Sequence, residues 1–176
     1  AQQRSNIQYH LSAVEDSPIE SGSIDLICVA QAIHWFDFDQ FYKEIKRVAT
    51  SECLLAYWAY ALPKIEPELD EAIIDFHDSV VGPYWDKERS FWRQEYNNIK
   101  YPLYSFERRD FIYTTSWEYE NLEGYLNSWS AVQHFIRREG YNPTAKFLAP
   151  FKQQWTKSKT VSFPIFLYSG SVYDIT

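Results

Sequence analysis

Hydrophobic and polar positions fall into two regimes along the chain. Up to about residue 62, short β-rich runs alternate with one helix: Ile7-Gln8-Tyr9-His10-Leu11, then Ile24-Asp25-Leu26-Ile27-Cys28-Val29, then a helical stretch, then Leu54-Leu55-Ala56-Tyr57-Trp58. This alternation is the grammar of an α/β layer. The near-continuous apolar run from Ile24 to Val29 predicts a strand covered on both faces with parallel neighbours. Between the second and third runs, Phe38, Phe41, Tyr42, Ile45 and Val48 recur at helical spacing, and Asp37 followed by Gln40 matches a capping pattern at the helix start.

The second regime is more helical. Pro67 suits a first helical position, Leu69, Ala72, Ile73, Phe76 and Val80 make one stripe, and Gly82-Pro83 ends it; a further helix is expected from Asp86 to Glu95. A β-prone run from Asp110 to Thr115 follows. Thr115 and Glu118 then read as a capping box for a helix that carries Leu122, Tyr125, Leu126, Trp129, Val132, Gln133 and Ile136 on one face, bends near Ser128 and Ser130, and closes at Gly140. Asn142-Pro143 opens a last helix, and a strand from Thr160 to Tyr168 finishes the order.

Composition narrows what such a chain can do. At 176 residues and 45% hydrophobic content, one sizeable core and one domain are expected. The formal charge of -7, with no Lys/Arg-rich stretch, argues against nucleic acid as a partner. No apolar run approaches the ~20 residues that span a bilayer, and the N-terminus lacks a signal-peptide pattern, so a cytoplasmic protein without a membrane partner is expected. Cys28 and Cys53 each sit in an apolar run and read as small buried hydrophobes. Aromatic residues are unusually abundant at 19%, which implies an aromatic-rich core or a ring-lined pocket. There is no metal-ligand spacing, nucleophile elbow or phosphate loop, so no metal site is expected and hydrolase and kinase readings lose support.

The order of Ala13-Val14-Glu15-Asp16-Ser17-Pro18, Ser23-Ile24-Asp25-Leu26-Ile27 and Gln31-Ala32-Ile33-His34-Trp35-Phe36-Asp37 resembles class I S-adenosylmethionine-dependent methyltransferases. More narrowly, it resembles the type 11 group related to trans-aconitate methyltransferase. The likeness continues through Phe41-Tyr42-Lys43-Glu44, Ala56-Tyr57-Trp58-Ala59-Tyr60, Gly82-Pro83-Tyr84-Trp85, Trp129-Ser130-Ala131-Val132-Gln133 and Phe163-Pro164-Ile165-Phe166-Leu167, and so spans nearly the whole chain.

The resemblance implies the C-terminal part of a Rossmann-like sheet, with helical insertions at about 66–100 and 117–156 forming a substrate lid. It implies S-adenosyl-L-methionine as cofactor, with Ala13, Val14, Glu15 and Asp16 by the adenine and Ala30 and Gln31 by the methionine part, positions that suit ligands beyond the carboxyl ends of parallel strands. It implies a small-molecule acceptor, such as a carboxylic acid, attacked in line. His34 and Trp35 are the candidate catalytic residues, a histidine titrating near neutral pH. Trp58, Tyr60, Tyr84, Trp85 and Trp129 are candidates for the acceptor pocket, and Arg137-Arg138 for a carboxylate fork.

Two departures accompany the likeness. About 60–80 residues carrying the glycine-rich cofactor loop would be expected before Ala1, since one strand–helix–strand unit takes ~30 or more. Without them residues 1–20 are expected to be displaced, leaving the Ile24 to Val29 strand with an open edge able to self-associate and the fragment alone inactive. Where the family has Pro-Gly-Gly before the third run, this chain has Thr50-Ser51-Glu52, expected as a turn. A non-catalytic module that keeps the pocket to bind a small ligand or partner is the alternative reading.

Overall fold

The computed structural model describes residues 4–99 and 103–174. They form ten labelled elements: β1 (Ile24–Ala30), α1 (Phe38–Val48), β2 (Ala49–Tyr60), α2 (Pro67–Asp75), α3 (Ser90–Arg93), β3 (Tyr104–Trp117), α4 (Tyr119–Asn127), α5 (Ser130–Glu139), α6 (Pro143–Lys152) and β4 (Lys159–Ser171). The fold is α/β, with one four-stranded sheet in the order β1-β2-β4-β3. The chain divides into two compact units, one of residues 1–59, 96–109 and 167–176, the other of residues 60–95 and 110–166.

In the first unit β1 pairs parallel with β2, as its apolar run implies, with Cys28 opposite Ala56 and Ala30 opposite Trp58. Helix α1 connects them and starts as expected, the Asp37 carboxylate accepting from the Gln40 N–H. Thr50-Ser51-Glu52 is not a turn: α1 runs straight into β2 at Ala49, and the mismatch is absorbed by a register shift opposite Ile24 to Leu26, where the Thr50 hydroxyl donates to Asp25. A bulge in the pairing does here what a glycine turn would do. Val172 N–H donates to Cys53 O on the β4 side, and Gly170 is required there because a Cβ would meet the Tyr104 carbonyl oxygen at 2.9 Å.

Three expectations for this unit need correcting. Residues 7–11 form no strand, and Leu11 is fully exposed; alternation alone cannot hold a strand that has no ladder to join. β1 is not covered on both faces: only Val29 is buried, Leu26 is 56% exposed and Cys28 is exposed, because β1 is the edge strand of the sheet among the described residues. Cys28 is therefore not a buried hydrophobe, whereas Cys53 is. Residues 4–20 run as turns and irregular chain; residues 1–3 lie outside the described set.

In the second unit α2 begins at Pro67 as read, then widens into a π-helical turn over Phe76–Val80 before Gly82–Tyr84 turns the chain. The helix expected over residues 86–95 is only a 3-10 turn, Lys87–Arg89, and the four residues of α3. The capping box lies three residues later than the sequence suggested: Asn121 accepts from the Glu118 N–H, while Thr115 belongs to β3. The helix expected to bend near Ser128 is broken there into α4 and α5, the Ser128 hydroxyl donating to the Tyr125 carbonyl. Gly140, at φ +80°, ends α5 in the left-handed conformation that favours glycine. Asn142 caps α6 through the Thr144 N–H. Leu69, Ile73, Phe76, Leu122, Leu126 and Leu148 are the centre of this unit's core.

Candidate active site

The first unit gathers the cofactor-side candidates around the carboxyl end of β1. Its strand ends at Ala30, exposed and opposite Trp58, and the next residue, Gln31, turns the chain at φ +54° while its N–H donates to the Trp58 carbonyl. A non-glycine residue in this left-handed region costs about 1–2 kcal/mol. Such strain concentrates where the chain must turn sharply beside a ligand.

The loop of Ala13 to Asp16 is fastened to the same end. The Glu15 carboxylate accepts from the Asp37 N–H at 3.0 Å, and Asp16 N–H closes a turn onto the Ala13 carbonyl. One residue further, Ser17 donates through both its N–H and its hydroxyl to Glu44 on α1, which is also gripped by Arg47. The Arg47 guanidinium, with the Ser17 donors, holds the Glu44 carboxyl down to about 2. Arg47 reaches on to the Ile19 and Ser17 carbonyls and the Ser21 hydroxyl, so one ion pair ties residues 17–21 to α1.

Between the strand end and α1, a 3-10 turn over Ile33–Trp35 carries the candidate catalytic pair. His34 is buried, its Nδ1 2.6 Å from the Tyr96 hydroxyl, and its ring lies 5.1 Å from that of Trp35, which is 53% exposed. Tyr96 reaches this position from a backbone at φ +60°, just after Glu95 at φ +50°. Burial pushes the neighbouring Tyr57 hydroxyl well above its ordinary range, so it stays protonated.

For the cofactor that the resemblance implies, the donor set at this end fits in part. Ala30 presents an exposed strand end with no bulky side chain, and Asp16 and Trp35 are exposed nearby in sequence. The Glu15 carboxylate, by contrast, is taken up by the Asp37 N–H. Among the described residues no group of three or more His, Cys, Asp or Glu could hold a metal ion, and no helix is long and apolar enough to cross a membrane.

The second unit holds the remaining pocket candidates, and it splits them into three places. Tyr60 lines a pocket of about 220 Å³ with Tyr113, Tyr125, Phe163 and Ile165. Trp85 and Trp129 instead surround His77, their rings 4.9 and 5.5 Å from the imidazole, and Trp85 donates from Nε1 to the His77 carbonyl. Tyr84 packs on Phe135 and donates its hydroxyl to Glu139. Arg138 lies against the Tyr84 ring and pairs with Glu139, so the Arg137-Arg138 pair is not part of that pocket's lining.

Tyr96, His77, Tyr113, Tyr125 and Phe163 were not singled out as site residues. Tyr125 could have been found as the one ring on the α4 stripe with a polar tip. Nothing in the spacing reveals Tyr96, whose place depends on two left-handed residues.

The methyltransferase domain family matches residues 1–57. A Dictyostelium discoideum protein described as a methyltransferase is 33% identical over 176 residues, covering 95% of this chain and 67% of that protein. A Saccharomyces cerevisiae protein described as an S-adenosylmethionine-dependent methyltransferase is 20% identical over 155 residues, 72% of this chain and 53% of the yeast protein. Among solved structures, an Anaeromyxobacter dehalogenans protein described as a type II methyltransferase superposes with a TM-score of 0.85 at 29% identity, covering 98% of this chain and 75% of its own. The chain belongs to the class I S-adenosylmethionine-dependent methyltransferase family.

Proposed function

We propose that the chain provides the strand-end half of the cofactor site and the acceptor pocket of an enzyme that methylates a small molecule. The observation that carries this reading is the joining of two separate segments, residues 13–17 and 30–37, at the carboxyl end of β1 through Glu15 and Asp37. The family likeness assigns residues 13–16 of the first segment to the adenine, and Ala30 and Gln31 of the second to the methionine part of the cofactor. The chain spans 67% of the length of the Dictyostelium relative.

When bound, S-adenosylmethionine supplies an electrophilic methyl group on a sulfonium sulfur. Ala30 and Gln31 would border its methionine part, and the backbone of Ala13 to Asp16 its adenine. Trp35 offers an exposed ring face to positive charge. A carboxylic acid, the acceptor class suggested by the trans-aconitate likeness, is already ionised at neutral pH and needs no base, and His34 would orient it by a hydrogen bond. Tyr60, in the pocket of the second unit, would be the ring that meets the acceptor. The open edge of β1, with Leu26 exposed beside it, is where another strand would pair, in a second copy or in the intact protein.

Calorimetric titration of S-adenosylhomocysteine into the full-length gene product tests the reading. Saturable binding is expected. A folded protein that binds none would overturn it in favour of a non-catalytic ligand-binding module.

A further inference from the structure

The pocket at Tyr60 has a composition that selects among acceptors. Its walls are three tyrosines, Tyr60, Tyr113 and Tyr125, with Phe163 and Ile165. Phe163 is central: the Tyr60, Tyr125 and Trp117 rings all stand edge-on to it, at 5.6, 5.6 and 5.3 Å. Edge-to-face geometry fixes these rings relative to one another, so the pocket is formed before anything enters it.

No charged side chain lines it. A carboxylate seated there would have no basic partner, and its desolvation would go uncompensated. A cation would meet ring faces, but no carboxylate to neutralise it. An uncharged occupant faces neither penalty. The volume, about 220 Å³, exceeds the ~150 Å³ apolar cavity known to take up benzene, leaving room for a ring with one or two small substituents.

Three tyrosine hydroxyls accompany the apolar walls. Burial pushes the Tyr125 hydroxyl above its ordinary range, so it keeps its proton, and it accepts a hydrogen bond from Trp129. Its own O–H can therefore donate to an oxygen on the occupant.

We propose that this pocket receives an uncharged, single-ring aromatic group of the methyl acceptor, with a phenol or aryl ether oxygen within reach of Tyr125. The word acceptor rests on the methyltransferase reading; the pocket and its ligand class do not. An acid group, if the acceptor has one, would lie outside this pocket.

The test is titration of p-cresol into the full-length protein, followed by protein-observed NMR, with benzoate and tetramethylammonium as charged counterparts. Saturable p-cresol binding with shifts at Tyr60, Tyr113 and Tyr125 is expected, together with weaker binding of both ions. Ile165→Trp should fill the pocket and weaken p-cresol binding by about tenfold or more, roughly 1.4 kcal/mol. Should that variant not fold, Tyr113→Ala, which alters an exposed strand residue, should weaken binding in the same direction. No p-cresol binding, tighter binding of either ion, or unchanged affinity in the folded variants would overturn the proposal. Because the probe contains no cofactor, these outcomes are independent of S-adenosylhomocysteine binding by the full-length protein, whose failure would instead remove the methyltransferase reading.

Discussion

The His34 imidazole and the Tyr96 hydroxyl meet at 2.6 Å, and Tyr96 occupies the spot only because Glu95 and Tyr96 both adopt left-handed backbone. The phenol is the stronger acid of the two neutral groups, so it donates to Nδ1 and leaves the proton of the neutral ring on Nε2. Tyr96→Phe should keep the ring packing while removing this bond, at a cost of about 1–3 kcal/mol from the unsatisfied buried nitrogen. Long-range nitrogen–proton NMR should show His34 in one tautomer in the wild type and in a mixture in the variant. An unchanged tautomer would mean that Tyr96 merely fills space.

Glu44 offers a pH test of the tether that holds residues 17–21. Its folded carboxyl lies near 2 against an ordinary 4.5, a depressed value, so its contribution is present above about 4.5 and is lost as pH falls toward 2. Glu44→Gln should destabilise the protein by about 1.5–3 kcal/mol at pH 7, by loss of charge-assisted hydrogen bonds. In urea unfolding the gap between variant and wild type should close between pH 4.5 and pH 2. A gap that does not depend on pH would contradict the ion-pair account.

His77 has the opposite sign of charge. Burial disfavours its protonated form and outweighs the pull of Asp78, which it meets at 2.6 Å through Nδ1. A histidine whose folded value is lowered contributes fully above its unfolded value of about 6.5, and stability falls as pH drops below it. Since Trp85, Trp92 and Trp129 all lie within 5.5 Å of the imidazole, centroid to centroid, urea unfolding followed by tryptophan emission should show a transition to lower midpoints as pH drops from 7 to 5. His77→Gln should remove that transition.

The two cysteines should separate cleanly by reactivity. Cys28 is exposed on β1, whereas Cys53 is fully buried and its thiol is pushed up by that burial. One thiol per chain should react with a disulfide reagent within minutes under native conditions, and the second only at the rate of unfolding. Fast reaction of both would show that β2 is not packed as described.

Gly140 closes α5 with nothing within 4 Å of the position a Cβ would take, so its constraint is purely backbone. Gly140→Ala should cost about 1–2 kcal/mol, readable as a lower urea midpoint with unchanged slope.

Elements whose cause is local were legible in the sequence. Asp37 before α1, Pro67 at the start of α2 and Gly140 after α5 act within one turn, and the structure uses each of them as read. What failed depended on neighbours. Ile7 to Leu11 has a strand's alternation but no ladder to join, and Leu26 and Cys28 are apolar yet uncovered because β1 is an edge strand. The candidate site was half legible. Family likeness proposes the segments around Glu15 and His34, and the structure joins their neighbourhood through the Asp37 N–H, which donates to Glu15. The division of the rings could not be foreseen, since the spacing of Tyr60, Trp85 and Trp129 says nothing about which one faces Phe163 and which ones enclose His77.

The most direct test of the central claim is photo-crosslinking of methyl-labelled S-adenosylmethionine to the full-length protein, with the labelled peptides mapped by mass spectrometry. Label within residues 13–16 or 30–35, competed away by S-adenosylhomocysteine, is the predicted result. Competable label confined to other peptides would contradict the assignment of the carboxyl end of β1 as the cofactor site.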